Sequence, residues 1–361
     1  MKKLGISVYP NYSKPETYLD YIDLAAYYGV SHIFTCLLSH EDKLSTIVKQ
    51  FKTLTTRAKK HNMSVIIDVA PKLFSKYNID YKDLKFFADL DVTGFRLDES
   101  FTGAEEALMS YNKYGLQIEL NASNATNYVN CIFDYEPKSD IFTGCHNFYP
   151  HRFSGLKLNH MLYASQLYKA HGLPVSAFIS SPSAKFGPWA VSEGLCTLEM
   201  HRDMPIDIQA KHLWSSGMID NVIIANMFAN EKELKLLSEI DPDILSFKVD
   251  LNPKITKLDK AIILEQLHFN RGDISPNMIR STQSRVKFKD KTFPVYNPIN
   301  IKRGDIIIES SKYEHYAGEL QIALNSMPNS GRSNVVGKIN SKEVFLLDTV
   351  RPWQKFKFYV N

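Results

Sequence analysis

The 361-residue chain has few of the features that would assign a protein to a class at once. Its four cysteines are scattered and form no CxxC pair, which predicts reduced, buried thiols rather than disulfides. No run approaches the roughly 18 apolar residues of a membrane-spanning helix. The 43 basic and 39 acidic residues leave a net charge of only +4. This balance argues against nucleic acid or a membrane surface as a partner.

The N-terminus also lacks a complete export signal. Its apolar run, LGISVY, ends at Pro10 after about six residues, short of the roughly 7–15 residues of a signal-peptide core. We therefore expect a cytoplasmic protein. An apolar content of 44% and a charged content of 23% are ordinary for a globular protein, and the length allows two domains.

Short apolar runs alternate with helical patterns through the first two thirds of the chain. Eight runs predict strands: LGISVY, HIFTCLL, SVIIDVA, GFRLDES, LQIELNAS, DIFTGCH, LPVSAFIS and DNVIIANMF. The intervening helices are the crossovers that parallel strands require. Eight such units predict a TIM barrel over residues 1–243. A doubly wound sheet is the alternative, but it would usually begin with a Gly-rich turn, and VYPNYSKPE has none.

The pattern changes after residue 243. Short β-type runs separated by turn residues follow: VKFKD, GDIIIES, GELQIAL, NVVGKI, EVFLLDTV and KFKFYV. They predict a compact all-β domain or barrel over residues 244–361. The segment AIILEQL fits a strand or a helix.

Alternation within the predicted strands indicates which polar side chains point into the barrel. If the apolar residues face the helices, the inward set is Ser7, Tyr9, Asp68, Arg96, Asp98, Gln117, Glu119 and Asn121. Three neighbouring strands thus send carboxylates inward near their C-terminal ends, where TIM barrels have their active sites. A buried network neutralised by Arg96 is the alternative, but three carboxylates on adjacent strands favour a functional site.

Asp98 and Glu119 are predicted on adjacent strands. At a strand spacing of about 4.8 Å their carboxyl groups could approach to roughly 5 Å, closer to the separation in retaining than in inverting glycosidases. The pKa values of two close carboxylates also move apart, so that one group serves as the acid and the other as the base. A divalent metal is a competing use of Asp68, Asp98, Glu119 and His146. No HxH or HExxH pattern is present, and nearby basic residues argue against a metal.

Two long loops follow the sixth and seventh predicted strands, GCHNFYPHRFSGL and SSPSAKFGPWAVSEGLCTLEMHRDMP. Loops after late strands commonly bind phosphate in TIM barrels, and Arg and Lys suit that role. Trp and Tyr suit stacking on a sugar. A solvated lid with incidental charges is the alternative. The candidate binding residues in the loops are His146, Asn147, Tyr149, Arg152, Lys185, Glu199, His201 and Arg202.

Several motifs together resemble a known family. GISVYP, GFRLD, ELNAS, CHNFYPH, GLCTLEMHR and RGDI…YAGELQI, in this order, look like the bacterial 6-phospho-N-acetylmuramidase (MupG-like) family. The resemblance implies a TIM-type barrel followed by a small cyclophilin-like β-barrel. It also implies a cytoplasmic glycosidase of peptidoglycan recycling. The implied substrate is N-acetylmuramic acid 6-phosphate linked β-1,4 to N-acetylglucosamine, and its hydrolysis would release the two monosaccharides.

Such a substrate would explain the mixture of charges in the predicted site. Phosphate and a lactyl carboxylate need basic groups, and the scissile bond needs carboxyl groups. We expect Glu119 and Asp98 to be the catalytic pair, with Asp68 third. Glu119 would donate the proton to the leaving sugar. Asp98 would be the nucleophile, or would orient a nucleophilic 2-acetamido group. Ser7, Tyr9, Arg96, Asn121 and the loop residues named above would bind the substrate.

The chain departs from the family pattern at one point. The family typically has Arg-Pro after CHNFYP, whereas His151 and Arg152 stand here, and either could do the work of the family arginine. We expect no cofactor and no metal. Two other functions stay open: a metal-dependent barrel hydrolase or isomerase acting on a sugar phosphate, and a sugar-phosphate-binding protein without turnover.

Overall fold

The structure, a computed structural model, describes residues 2–37 and 44–360. Leu38, with which the second predicted strand ends, lies outside these ranges. Contacts between Cα atoms divide the chain into two units, Met1–Glu239 and Ile240–Asn361. None of the helices in the described ranges combines the length and the apolar character needed to cross a membrane.

The first unit is a closed barrel of eight parallel strands in sequence order, which confirms the predicted TIM barrel. Its strands are β1 (Lys3–Ser7), β2 (His32–Cys36), β3 (Ser64–Val69), β4 (Gly94–Leu97), β5 (Gln117–Asn121), β6 (Phe142–Cys145), β7 (Val175–Ile179) and β8 (Asn221–Ile224). Its helices are α1 (Pro15–Tyr27), α2 (Leu44–Lys60), α3 (Pro71–Lys76), α4 (Lys85–Asp89), α5 (Ala104–Met109), α6 (Tyr128–Phe133), α7 (Leu158–Lys169), α8 (Ile206–Ser215) and α9 (Glu231–Ser238). Each predicted strand is present.

Packing between strand and helix fixes which way the β4 side chains point. The rings of Phe95 on β4 and Phe87 on α4 stack with centroids 4.4 Å apart. Because successive side chains alternate between the faces of a strand, Phe95 facing a helix sends Arg96 into the barrel, as predicted.

The register between strands sets the lateral neighbours of that arginine. Asp68 on β3 pairs with Arg96 on β4, and Arg96 pairs with Glu119 on β5. A side chain at Gly94 would meet the backbone oxygen of Gln117 at 2.3 Å, so this close approach of β4 and β5 requires glycine. Asp98 lies just beyond the end of β4. Asp98 was predicted within the fourth strand, next to Glu119 on the fifth, but the residue of β4 opposite Glu119 is Arg96.

The second unit contains a mixed seven-stranded, barrel-like sheet in the order β10-β15-β9-β14-β12-β13-β11. Most pairs are antiparallel, whereas β9 and β15 are parallel. The strands are β9 (Leu245–Leu251), β10 (His268–Phe269), β11 (Met278–Ser281), β12 (Asp305–Glu309), β13 (Leu320–Ala323), β14 (Ser333–Ile339) and β15 (Lys355–Tyr359). Two helices, α10 (Lys257–Glu265) and α11 (Gln283–Lys287), accompany them. AIILEQL thus lies largely in a helix.

Two of the six predicted β-type runs are not strands. VKFKD begins within α11, and most of EVFLLDTV forms the 3₁₀ helix Val344–Thr349. The second error has a local cause. Asn340 accepts a hydrogen bond from the Lys342 N–H through Oδ1, and its carbonyl accepts one from the Glu343 N–H. This turn starts a helical path that apolar composition does not reveal.

Candidate active site

A cavity of about 130 Å³ opens where several barrel strands end. It is lined by Asp68, Arg96, Asp98, Asn147, Phe148, Phe178 and Trp189. These residues come from β3, β4, β7 and the loops that follow β4, β6 and β7. The cavity thus lies at the C-terminal face of the barrel, where this fold has its active sites.

One guanidinium holds the two carboxylates of the cavity. Arg96 Nη1 donates to Asp68 Oδ1 at 2.6 Å and to Asp98 Oδ1 at 3.0 Å, and its Nη2 donates to Asn147 Oδ1. The two carboxylate oxygens can be no farther apart than the sum of these two bond lengths. The two carboxyl groups are therefore held against a single nitrogen atom of Arg96.

Burial gives the two carboxylates different properties. The side chain of Asp98 is 35% exposed, whereas that of Asp68 is 8% exposed. Loss of solvent raises the pKa of Asp68 to about 6, although Arg96 opposes the change. Burial lowers the pKa of Arg96, but the carboxylates, Asp68 foremost, raise it well above its usual value. A permanently charged arginine therefore lies beside a carboxyl group that gains a proton in mildly acidic solution.

Glu119 lies within the barrel but does not line the cavity. It is 2% exposed, and its Oε2 accepts a hydrogen bond from Thr143 Oγ1 at 3.3 Å. Oε1 has no hydrogen-bond partner among the described residues. Burial raises the pKa of Glu119 to about 7, against the opposing effect of Arg96. Glu119 is therefore a protonated acid below neutral pH, located beside Arg96.

Comparison with known proteins identifies the family. A model of the 6-phospho-N-acetylmuramidase N-terminal region matches residues 4–239, and a model of its C-terminal region matches residues 245–359. The chain belongs to the 6-phospho-N-acetylmuramidase family. It is therefore a glycosidase, a glycoside hydrolase of muramic acid phosphate. The match confirms the family suggested by the sequence motifs.

Solved structures show the same architecture. An uncharacterized B. cereus protein is 45% identical, with 99% of each chain covered and a TM-score of 0.90. A conserved Enterococcus faecalis protein with an unknown function is 23% identical, with 99% of this chain and 96% of that chain covered and a TM-score of 0.69. The second likeness concerns the fold alone. A search of curated proteins finds no significant match.

In this 6-phospho-N-acetylmuramidase family member, amide and hydroxyl groups hold the cavity walls in place. Asn121 Nδ2 donates to the backbone oxygen of Asp98 at 2.9 Å. The backbone N–H of Asn147 donates to Ser123 Oγ at 2.7 Å, and Thr197 Oγ1 donates to the Asn147 carbonyl at 2.8 Å. Asn121 therefore holds the backbone of Asp98 in the loop after β4, and Asn147 lines the cavity. Ser123 and Thr197 are contacts that sequence patterns did not single out.

The Glu199–Arg202 pair joins the two long loops. The Nε and Nη2 atoms of Arg202 bind the two oxygens of Glu199 at 2.7 and 2.6 Å. Its Nη1 donates to the carbonyls of Tyr149, Glu193 and Gly194 at 2.9–3.1 Å. Arg202 lowers the pKa of Glu199 to about 2. The donors of Arg202 are thus engaged within the protein, which favours a structural role over phosphate binding.

The other predicted binding residues are dispersed. Arg152 forms a two-point ion pair with Asp203 at 2.8 and 3.1 Å, and Lys185 is exposed. Four polar candidates are completely buried and do not line the cavity: Ser7, Tyr9, His146 and His201. His146 bonds Ser165, His201 bonds His212, and Tyr9 donates to the Ala225 carbonyl. The structure thus brings Asp68, Arg96, Asp98 and Asn147 together at the cavity, but not the predicted set as a whole.

Aromatic rings complete the cavity wall. Phe148 and Phe178 lie with ring centroids 5.1 Å apart, and Phe34 contacts both. Trp189 is 44% exposed at the cavity edge. Phe178 was missed because a buried strand residue carries no polar signal. A sugar face can pack against such rings.

The donor set does not favour a metal ion. Within residues 2–37 and 44–360, no three Asp, Glu, His or Cys side chains are arranged to hold one. Between Asp68 and Asp98, the position that a cation would take is filled by the Arg96 guanidinium. Both carboxylates already have a positive partner, so the arrangement suits positioning of carboxyl groups.

Proposed function

We propose that this chain hydrolyses the β-1,4 bond between N-acetylmuramic acid 6-phosphate and N-acetylglucosamine during peptidoglycan recycling in the cytoplasm. The observation that carries the proposal is the pair of carboxylates held by one arginine in the barrel cavity of a 6-phospho-N-acetylmuramidase family member. Glycosidic cleavage needs such a pair.

The different environments of the two carboxylates support different roles for them in the cleavage. Asp68, whose pKa is raised to about 6, would donate a proton to the leaving sugar oxygen. The more exposed Asp98 would be the nucleophile or would orient the 2-acetamido group. Glu119, the proton donor of our sequence-based hypothesis, stays the alternative, because burial raises its pKa to about 7, although it is not among the residues lining the cavity. Arg96 would keep both carboxyl groups in position.

The Arg96-bound oxygens of Asp68 and Asp98 lie close together, which is the observation behind our expectation of cleavage with retention. Both a covalent intermediate and a substrate-assisted route would give the β anomer first, whereas an inverting enzyme needs space for a water molecule between sugar and base. We therefore expect β-N-acetylmuramic acid 6-phosphate as the first-formed product, and proton NMR during hydrolysis would detect it.

The size of the cavity indicates how the ligand would lie. Ligand sites usually enclose roughly 300–1,000 Å³, so a cavity of about 130 Å³ would hold only the groups around the scissile bond. Trp189 would pack on a sugar face at the edge. Lys185 and Arg152 remain our candidates for the phosphate and the lactyl carboxylate, because both are at least partly exposed.

The test is incubation of the purified full chain with the 6-phosphorylated disaccharide and with its unphosphorylated counterpart, each with and without a chelator. We expect release of both monosaccharides from the phosphorylated disaccharide only, unaffected by the chelator. Equal cleavage of the two disaccharides would refute the phosphate requirement. Binding of the phosphorylated disaccharide without any cleavage would refute the hydrolase assignment.

A further inference from the structure

The second unit contains a cluster of arginines around one buried carboxylate. Glu319, just before β13, is 0% exposed. Arg280 Nε on β11 lies 2.7 Å from its Oε1, and Arg285 Nη1 on α11 lies 3.0 Å from its Oε2. Gln321 Nε2 also donates to Oε1, at 3.2 Å. Two guanidiniums from separate elements thus share one buried carboxylate.

Both arginines lie over a partly exposed tyrosine ring. Tyr316 is 45% exposed, and the guanidinium carbons of Arg285 and Arg280 lie 5.3 and 5.8 Å from its ring centre. The Tyr313 ring lies 6.4 Å from that of Tyr316, with Arg332 at 5.4 Å from the Tyr313 ring centre. We call Arg280, Arg285, Tyr313, Tyr316 and Arg332 the Arg–Tyr cluster. The cluster combines three guanidinium groups with the planar, partly exposed ring of Tyr316.

The charges of this region leave a positive surplus. Glu319 can neutralise only one of the two guanidiniums that contact it. Arg271 is also near Glu319, but Asp273 pairs with it at 2.5 and 2.6 Å. Glu309 on β12 also faces Glu319, and burial raises the pKa of Glu309 to about 7. Its negative charge is therefore incomplete at neutral pH.

The second arginine is not explained by burial of Glu319. A buried carboxylate needs a partner, and one guanidinium supplies it. The side chains of Arg280 and Arg285 are nonetheless 22% and 26% exposed, so neither guanidinium is fully enclosed, and Arg285 Nη1 also donates to the His315 carbonyl at 3.4 Å. Shared contact with Glu319 and the Tyr316 ring fixes both side chains before any ligand arrives. Such preorganisation lowers the entropic cost of binding.

We propose that the Arg–Tyr cluster binds a small sugar bearing an oxyanion, either a phosphate or a carboxylate. The oxyanion would accept hydrogen bonds from the outward N–H groups of Arg280 and Arg285, because planar guanidinium forks match such groups. The sugar ring would pack on Tyr316. All five residues of the Arg–Tyr cluster belong to the second unit, whereas the residues that line the barrel cavity belong to the first.

The test is calorimetric titration of the full chain with three probes: glucose 6-phosphate, glucuronate and glucose. The first two separate phosphate from carboxylate as the recognised group, and glucose controls for the ring alone. We expect one or both anions to bind and glucose not to bind. Arg285→Gln and Tyr316→Ala should each weaken anion binding by about tenfold or more, since each removes a direct contact. Tyr316→Phe keeps the ring and should bind as the original chain does.

Arg303→Gln is the matched control, because Arg303 in the same unit pairs with Asp348 and the Leu324 carbonyl instead. It should leave anion binding unchanged. Unaltered circular dichroism and disaccharide hydrolysis would show that each variant is folded. Absence of anion binding would overturn the proposal. Equal weakening by Arg303→Gln, or full binding by folded Arg285→Gln and Tyr316→Ala, would do the same.

Discussion

Replacement of Glu119 by glutamine should change how the stability of the protein depends on pH. Glu119 is 2% exposed, and its folded-state pKa is raised from 4.5 to about 7, chiefly by burial. Because the folded pKa is the higher one, the stabilisation from protonated Glu119 is complete below pH 4.5 and is lost as the pH rises through about 7. At about 1.4 kcal/mol for each pH unit between these values, the loss approaches about 3 kcal/mol.

Glutamine has nearly the same shape and cannot ionise. Between pH 4.5 and pH 9, the free energy of unfolding of Glu119→Gln should therefore rise by about 3 kcal/mol relative to the unsubstituted chain. Urea unfolding followed by circular dichroism at several pH values measures this difference. The other ionisable groups are the same in both proteins, so the difference reports Glu119 together with its effect on its neighbours Asp68 and Cys145.

Thr143→Val is a second variant for the same measurement of stability against pH. Thr143 donates a hydrogen bond to Glu119 and so favours its ionised form. Loss of this bond should raise the folded-state pKa of Glu119 further, so the decline in stability still begins near pH 4.5 but continues to higher pH. The result to look for is the difference in free energy of unfolding between Glu119→Gln and the unsubstituted chain. If this difference stayed constant from pH 4.5 to pH 9, Glu119 would not be a buried, neutral acid.

Three further outcomes follow from the cavity and its loops. The kcat/KM for the phosphorylated disaccharide should fall above about pH 6 as Asp68 loses its proton, and a flat profile to pH 8 in a product-release assay would contradict this. Arg202→Met should lower the free energy of unfolding, measured with urea, by at least about 2 kcal/mol, because Glu199 loses its partner. A raised KM with unchanged stability would point to phosphate binding by Arg202 instead. Trp189→Ala should raise KM more than it lowers kcat and should lower the free energy of unfolding by less than about 1 kcal/mol. An effect on kcat alone in steady-state kinetics would exclude packing of a sugar on the Trp189 ring.

The barrel was predictable because hydrophobic runs and crossovers leave a repeating signal. Alternation also showed that Asp68 and Arg96 point inward. It could not fix the register between strands, because a period of two assigns a face but not a lateral partner. The sequence therefore suggested Asp98 beside Glu119, whereas the residue opposite Glu119 is Arg96.

The loop contacts were less predictable because they depend on distant backbone groups. Arg202 binds the carbonyls of Tyr149, Glu193 and Gly194, and a carbonyl acceptor leaves no mark in the sequence. A basic residue in a loop after a late strand consequently looked available for phosphate. Burial of His146 and His201 was hidden for another reason: each bonds a side chain of the following helix, Ser165 or His212, and the sequence does not show which helix face packs on the loop.

The most direct test of the central claim is the turnover number of Asp98→Asn with the phosphorylated disaccharide. Asp91→Asn is the matched control, because Asp91 lies before β4, at the opposite end of that strand, and pairs with exposed Lys59. We expect a loss in kcat of about 100-fold or more for Asp98→Asn, with the fold intact and the control unchanged. Turnover by Asp98→Asn within a few-fold of the unsubstituted chain would contradict the claim that the Arg96-held carboxylates carry out the cleavage.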